Sequence, residues 1–179
     1  RECVPTLHKR GKCWYLNFAF EETVTLPDTE ACGRRILAVD LGINSACTCC
    51  VMGPDGTVTG RRSLKLSGEN DRLDRAVRRI KRAQQHGARR MPRLWAGAKG
   101  ISRDIAVKTA EFIVKTAVRY KVDVIVMEHL DIRGRKRGSR KQRLHHWRAM
   151  YVQRMVAQKA HRERIRISTV CAWNTSRLA

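Results

Sequence analysis

Two apolar runs in this chain each end in a carboxylate. Asp40 closes residues 36–39 and is followed by Gly42, and Glu128 closes residues 122–127. Two carboxylates at one dry sheet edge repel each other unless a cation lies between them, and their hard oxygen atoms favour Mg²⁺ or Mn²⁺. A site with paired metal ions suits phosphodiester hydrolysis, because one ion activates water and the other stabilises the leaving oxygen. Asp40 alone is more simply a turn aspartate, so the chemistry depends on Glu128.

The elements that position these carboxylates follow an α/β pattern. Both runs are too short for helices and predict buried strands, and a tight turn at residues 53–56 joins two further strands to the first in a meander. Parallel neighbours place equivalent ends at one edge of a sheet, so Asp40 and Glu128 are expected to converge there. The sequence therefore predicts a mixed sheet with flanking helices. The other predicted elements are strands at 45–52, 57–66 and 165–170 and helices at 67–86, 102–120 and 144–164.

The beginning of the chain differs from the rest. Residues 13–26 alternate in side-chain character from Trp14 onward, which is typical of a half-buried strand. We therefore expect residues 1–34 to be the end of an upstream β-rich segment with a linker, and residues 35–179 to be the main domain. Since the chain opens on Arg1, we expect its native N-terminus to lie further upstream.

The charge balance indicates a polyanionic partner. The chain has 38 Lys and Arg against 16 Asp and Glu, a net charge of +22. Such a charge attracts polyanions, with nucleic acid as the first expectation and an anionic membrane surface as the second. No apolar run approaches the roughly 20 residues of a membrane-spanning helix, so we expect no membrane partner. The predicted nucleic-acid-binding residues come from a basic helix and its following turn, and from a basic loop at 133–143: Arg78, Arg79, Arg82, Arg89, Arg90, Arg133, Arg135, Lys136, Arg137, Arg140, Lys141 and Arg143.

The seven cysteines predict neither a disulfide framework nor a zinc site. Their count is odd, and no pair has Cys-x-x-Cys spacing. Cys47, Cys49 and Cys50 lie in an apolar strand-like run, where we expect small buried side chains in a reducing cytosol.

The polar neighbours of Glu128 are interpreted as structural. Asp123 begins the strand that Glu128 ends, and Asp131 suits a loop or cap. His129 should point to the opposite side of the strand from Glu128, which makes it an unsuitable ligand.

The residues around both carboxylates resemble a known family of nucleases. The segment VDLGIN at 39–44 resembles the first catalytic motif of RuvC-like nucleases of the RNase H fold, and VIVMEHL at 124–130 resembles the second. Their spacing, the arginine-rich helix between them and the segment WNTS at 173–176 are similar to transposon-encoded TnpB-type nucleases, the relatives of type V CRISPR effectors. The resemblance covers roughly residues 35–179.

This resemblance implies RNA-guided, metal-dependent cleavage of DNA. A guide RNA pairs with the target DNA strand in such systems, and the protein mainly reads backbone shape. Asp40 and Glu128 would be catalytic ligands of Mg²⁺ or Mn²⁺, in a prokaryotic cytoplasmic protein associated with the nucleoid. The third carboxylate and the zinc ribbon of the family would follow residue 179, so we expect a nuclease domain that is incomplete at its C-terminus and binds metal weakly.

Two other functional classes remain open from the sequence. A catalytically weak or silent nucleic-acid-binding module would keep the basic surface without cleavage. The sequence Asp-Leu-Gly before a hairpin also opens actin-like ATPase domains, in which the loop wraps a nucleotide phosphate. Those domains need a second glycine-rich phosphate loop, which the sequence lacks. The oligomeric state is not predicted.

Overall fold

The computed structural model describes residues 3–26, 34–42, 45–129 and 140–171, with side chains from Arg148 onward in the last segment. Within the described residues, five strands are followed by two helices and then by a strand, a helix and a strand. In chain order they are β1 (Thr6–Arg10), β2 (Cys13–Asn17), β3 (Ile36–Asp40), β4 (Cys47–Met52), β5 (Val58–Leu64), α1 (Ser67–Gln85), α2 (Pro92–Arg119), β6 (Val124–His129), α3 (Arg140–Arg162) and β7 (Arg166–Cys171).

Five of the strands form one mixed sheet in the order β5-β4-β3-β6-β7. The strands β5, β4 and β3 are antiparallel neighbours, which confirms the predicted meander, and β6 and β7 continue the sheet parallel to β3. The predicted turn between β4 and β5 is present, with Gly56 at φ 81° and the Gly53 N–H donating to the Thr57 carbonyl at 2.9 Å. The prediction of a mixed α/β sheet with flanking helices is confirmed.

One face of this sheet forms the core. Leu37 and Val39 of β3 are buried, as are Ile125 and Met127 of β6, because alternate strand residues point to one side. They pack in one apolar cluster with residues of α2 and α3, of which Ile113 is fully buried. Burial of large apolar side chains, worth roughly 1.5–3 kcal/mol each, therefore stabilises this face.

The opposite face, here called the open face, contains no buried strand residue within the described part of the chain. Asp40 is exposed on it, and Ala38 and Glu128 are half-buried. Residues that are paired in neighbouring strands lie on the same face of the sheet, so the pairing identifies the other strand residues of the open face. They are Ile36, Thr48, Cys50, Met52, Arg61, Ser63, Val124, Val126, Arg166, Ser168 and Val170.

Two helices begin earlier than the sequence predicts. Helix α2 begins at Pro92 rather than near residue 102, with the proline in its first turn, where its missing N–H costs no helical hydrogen bond. The added segment contains Gly97 and Gly100, and packing around the fully buried Ala98 offsets their low helix propensity. Helix α3 begins at Arg140 rather than at residue 144. The placement of Arg140, Lys141 and Arg143 in a loop was therefore wrong, since all three lie within this helix.

The N-terminal strands also differ from expectation. Strand β2 ends at Asn17 rather than at residue 26 and pairs with the unpredicted β1 in an antiparallel hairpin. The prediction of a half-buried strand was wrong, because every residue of both strands is exposed and Trp14 keeps 63% of its surface accessible. The described residues include no helix long and apolar enough to cross a bilayer.

Candidate functional site

The register between β3 and β6 brings the two carboxylates together. The pairing runs in parallel from Ile36 opposite Val124 to Val39 opposite Met127, so Asp40 and Glu128 follow as the next facing residues. Neighbouring strands lie about 4.8 Å apart, which places the two Cα atoms at about that separation on the open face. The structure therefore brings both predicted site residues to the C-terminal ends of adjacent parallel strands.

Asp123 fixes this register at the other end of the strands. Its carboxylate Oδ2 accepts a hydrogen bond from the Arg35 N–H at 2.9 Å, and its own N–H donates to the Arg35 carbonyl at 3.0 Å. The Asp123 carbonyl accepts from the N–H of Arg166 at 3.0 Å, which ties β7 to the same point. The interpretation of Asp123 as a strand-entry residue is consistent with this geometry, since Asp123 directly precedes β6.

A groove of about 290 Å³ opens over the two carboxylates. We call it the carboxylate groove. Thr48 lies opposite Asp40 on β4, and its hydroxyl is 3.3 Å from that of Ser63 on β5. The lining residues are Ala38, Val39, Asp40, Thr48, Cys50, Arg61, Val126, Met127, Glu128 and Val170. The polar atoms of this groove are thus mainly oxygen acceptors, with one guanidinium at its side.

These donors suit a hard cation. Mg²⁺ keeps several waters and is commonly held by one or two carboxylates together with substrate phosphates, which matches two facing carboxylates in a solvent-accessible groove. Within the described residues there is no group of three or more His, Cys, Asp and Glu side chains that would enclose a metal ion. Asp40 and Glu128 are the two residues of the carboxylate groove that would hold such an ion.

The strand that carries Glu128 is held from the covered side. The Gln153 side-chain amide of α3 donates a hydrogen bond to the Glu128 carbonyl. His129 is exposed at the end of β6 and does not line the carboxylate groove. The backbone at Glu128 is thus anchored, while its side chain lies in the groove.

The predicted basic residues fall into two groups. Five of them are exposed on α1 and on the turn that follows it: Arg78, Arg79, Arg82, Arg89 and Arg90. The predicted residues Arg133, Arg135, Lys136 and Arg137 lie outside the described residues, and for Arg140, Lys141 and Arg143 the description is limited to helical backbone. None of the described predicted arginines lines the carboxylate groove.

A second groove, of about 280 Å³, lies between α1 and the beginning of α2. Its rim carries Arg72, Arg75, Arg79 and Arg93 beside apolar residues that include Leu94. The two helices are also tied by an ion pair, in which the Lys108 Nζ lies 2.8 Å from a carboxylate oxygen of Glu69. The helical pair therefore presents a strongly cationic surface.

Sequence reasoning missed one charged residue at the site. Arg61 on β5 lines the carboxylate groove, although nothing in its local sequence separates it from the neighbouring Arg62. The side of the sheet on which Arg61 lies depends on the pairing of β5 with β4, and this pairing includes a register shift between Val51 and Met52. That shift is a tertiary feature without a clear sequence signal.

Among the comparisons with known proteins, the solved structures indicate the fold. No family model matches the chain, and no curated protein matches it. Among solved structures, it is similar to a chain of the Cas12f1–sgRNA–target DNA complex, with a TM-score of 0.59 and 20% identity, over 95% of this chain and 42% of that chain. It is also similar to a chain of a CRISPR–Cas12f ternary complex, with a TM-score of 0.56 and 20% identity, over 96% of this chain and 35% of that chain. The chain thus shares their fold and spans less than half of their length.

Proposed function

We propose that this chain is the nuclease part of an RNA-guided, metal-dependent DNA endonuclease of the TnpB type, with a RuvC-like domain of the RNase H fold. The observation that carries the proposal is the facing pair Asp40 and Glu128 at the ends of adjacent parallel strands. The order β5-β4-β3-β6-β7 and the similarity in fold to chains of Cas12f complexes support it.

In this proposal, Asp40 and Glu128 hold Mg²⁺ or Mn²⁺ through their carboxylate oxygens. A bound ion supplies Lewis-acid polarisation of the phosphodiester and a more acidic water molecule. Asp40 contributes an exposed carboxylate that substrate reaches directly, while the backbone of Glu128 is steadied by Gln153. The third carboxylate that the resemblance implies is not supplied at this groove by the described residues.

The proposed partners are a guide RNA and a target DNA. The solved structures of similar fold are complexes with sgRNA and target DNA. The net charge of +22 and the exposed arginines of α1 provide the electrostatic attraction that phosphate backbones require. Such contacts hold nucleic acid without reading its sequence, as a guided mechanism demands.

A catalytically silent nucleic-acid-binding module is the second candidate. The observation in its favour is that no third metal-ligating side chain joins the two carboxylates within the described residues. A site with two carboxylates binds a cation more weakly than a complete one, and binding through the cationic surface does not need it.

The substitution Asp40→Asn separates these two functions. It preserves the shape of the side chain and removes its charge. We therefore expect the purified variant to lose Mn²⁺ binding, as measured by calorimetry. We expect Mg²⁺-dependent cleavage of labelled DNA to fall to background, while salt-sensitive DNA binding persists. Asp71→Asn is the matched control, because this exposed carboxylate on α1 lies outside the carboxylate groove.

The outcomes discriminate between the classes. Cleavage that survives Asp40→Asn would show that the site assignment is wrong. DNA binding by the wild-type chain with neither cleavage nor Mn²⁺ binding would favour the silent module. ATP hydrolysis in the absence of nucleic acid would instead support the actin-like alternative.

A further inference from the structure

The position of Arg61 follows from strand pairing across the sheet. Arg61 lies opposite Cys50 on β4, and Cys50 lies opposite Ala38 on β3. Asp40 is two residues beyond Ala38 and therefore points to the same face. With strands about 4.8 Å apart and a rise of about 3.3 Å per residue, the Arg61 and Asp40 Cα atoms lie about 12 Å apart. Arg61 lines the wall of the carboxylate groove, as Asp40 does.

The Arg61 guanidinium has no carboxylate partner within the described residues. Other cations of the chain do have one: Lys108 pairs with Glu69 at 2.8 Å, and Lys115 pairs with Glu111 at 2.8 Å. Arg61 is exposed and forms no such ion pair in the described segments, although two carboxylates line the same groove. Its charge is therefore available to an external anion.

The next residue shows what a structural arginine looks like on this strand. Arg62 points to the covered side, where its guanidinium carbon lies 5.1 Å from the centre of the Phe112 ring. This cation–π contact attaches Arg62 to the apolar cluster. Arg61 has no comparable aromatic contact among the described residues, so packing does not account for its position.

The carboxylate groove needs a positive charge to admit a nucleic acid. Asp40 and Glu128 repel a phosphodiester, and a guanidinium on the opposite wall offsets that repulsion whether or not a metal ion is bound. An arginine fork also matches two phosphate oxygens at once, which a point charge does not.

We propose that Arg61 binds a backbone phosphate of the nucleic acid in the carboxylate groove, beside the Asp40–Glu128 pair. This inference rests on the proposed function, because it assigns a substrate contact to the same site. It makes Arg61 a substrate-binding residue on β5, separate from the cationic surface of α1.

The test measures binding rather than cleavage. A fluorescent single-stranded DNA oligonucleotide is titrated with the 179-residue chain in EDTA, all variants carrying Asp40→Asn to reduce repulsion in the groove. Each phosphate contact to a single strand contributes a slope of about −0.7 in log affinity against log salt. Arg61→Ala should remove about one contact and so make the slope less steep by about 0.7. Between about 50 and 200 mM salt, the loss of affinity should then be roughly three times smaller in the Arg61→Ala variant than in its Asp40→Asn parent.

Two further variants make the test specific. Arg61→Lys keeps the charge and should keep the salt slope. Arg119→Ala removes one exposed arginine at the end of α2, outside the carboxylate groove, and should leave the slope unchanged. The proposal is overturned if Arg61→Ala leaves the slope unchanged, or if Arg119→Ala lowers it as much.

The outcome is independent of cleavage. A loss of slope with Arg61→Ala supports the phosphate contact even if the wild-type chain does not cut DNA. An unchanged slope overturns the contact even if Asp40→Asn abolishes cleavage. Failure of the inference and failure of the proposed function are therefore distinguishable.

Discussion

Replacing Gly60 by alanine should lower the free energy of unfolding, although the same replacement elsewhere in this chain should raise it. Gly60 lies in β5 opposite Val51, against the ring of Tyr120. A Cβ atom at residue 60 would lie 3.1 Å from Cε1 of Tyr120 and 3.2 Å from its Cζ and Oη. Carbon atoms pack best at about 3.5–4.0 Å, so the ring must move by a few tenths of an ångström.

The surroundings of Tyr120 set the size of the effect. Its ring packs against the apolar cluster, its N–H donates to the Thr116 carbonyl at 3.1 Å, and its carbonyl accepts from the Arg35 guanidinium at 3.2 Å. Forcing extra volume into such a contact costs roughly 1–3 kcal/mol. Replacing a strand glycine by alanine returns roughly 0.5–1 kcal/mol of that cost. We expect a net destabilisation of about 1 kcal/mol, or a fall in Tm of roughly 2–4 °C.

Gly100→Ala is the matched control. Gly100 lies in α2, and a Cβ atom there would meet nothing within 4 Å. Alanine should therefore stabilise the helix by roughly 0.5–1 kcal/mol. Urea unfolding followed by circular dichroism measures both variants against the wild-type chain, and the two changes should have opposite signs.

A second background tests the cause. When Tyr120→Ala removes the ring, alanine at residue 60 should become neutral or stabilising, because the two sites are coupled through direct contact. Wild-type stability in Gly60→Ala, or an unchanged penalty in the Tyr120→Ala background, would refute the close contact as the reason.

Two further predictions concern side-chain chemistry. The hydroxyl of Thr57 donates a hydrogen bond to the Asp55 carboxylate at 2.6 Å, and the Thr57 N–H donates one at 3.1 Å. These hydrogen bonds lower the pKa of Asp55. They therefore stabilise the turn fully above the unfolded-state pKa of Asp55, and this contribution is lost as pH falls through the folded-state pKa. Thr57→Val should raise the Asp55 pKa towards its ordinary value in an NMR titration, and an unchanged pKa would contradict the role of the hydroxyl. A hydrogen bond with Cys47, followed by burial, raises the pKa of the Cys49 thiol, so a thiol reagent at pH 8 should modify Cys49 only after unfolding. Mass spectrometry of the native chain should instead find the label on the exposed Cys3, Cys13 and Cys171. Rapid labelling of Cys49 in the native chain would contradict its burial.

The parts predicted from sequence are those that local pattern determines. The runs that end at Asp40 and Glu128 are short and apolar, so their length favours strands over helices. The turn at residues 53–56 has few alternatives to a hairpin. The expected burial of Cys47 and Cys49 is also confirmed, whereas the expected burial of Cys50 was wrong, because Cys50 faces the open side and is half-buried.

The parts that sequence reasoning missed depend on contacts between distant residues. Helix α2 begins ten residues before the expected position, because packing around Ala98 offsets the low helix propensity of Gly97 and Gly100. The face of Arg61 depends on how β5 pairs with β4 across an irregular register. In each case the deciding interaction lies outside the window that a sequence pattern covers.

Three aspartates of this chain show why Asp40 differs from a turn residue. Asp55 bonds the backbone N–H of Thr57 two residues on, as a turn aspartate does, and Asp123 bonds the backbone N–H of Arg35. The Asp40 carboxylate accepts no hydrogen bond from any described residue and lies exposed in a groove opposite Glu128. Because a structural aspartate satisfies backbone donors, the exposed Asp40 carboxylate beside the half-buried Glu128 supports the proposal of a ligand site. This contrast supports the proposed metal site at Asp40 and distinguishes Asp40 from the turn aspartate Asp55.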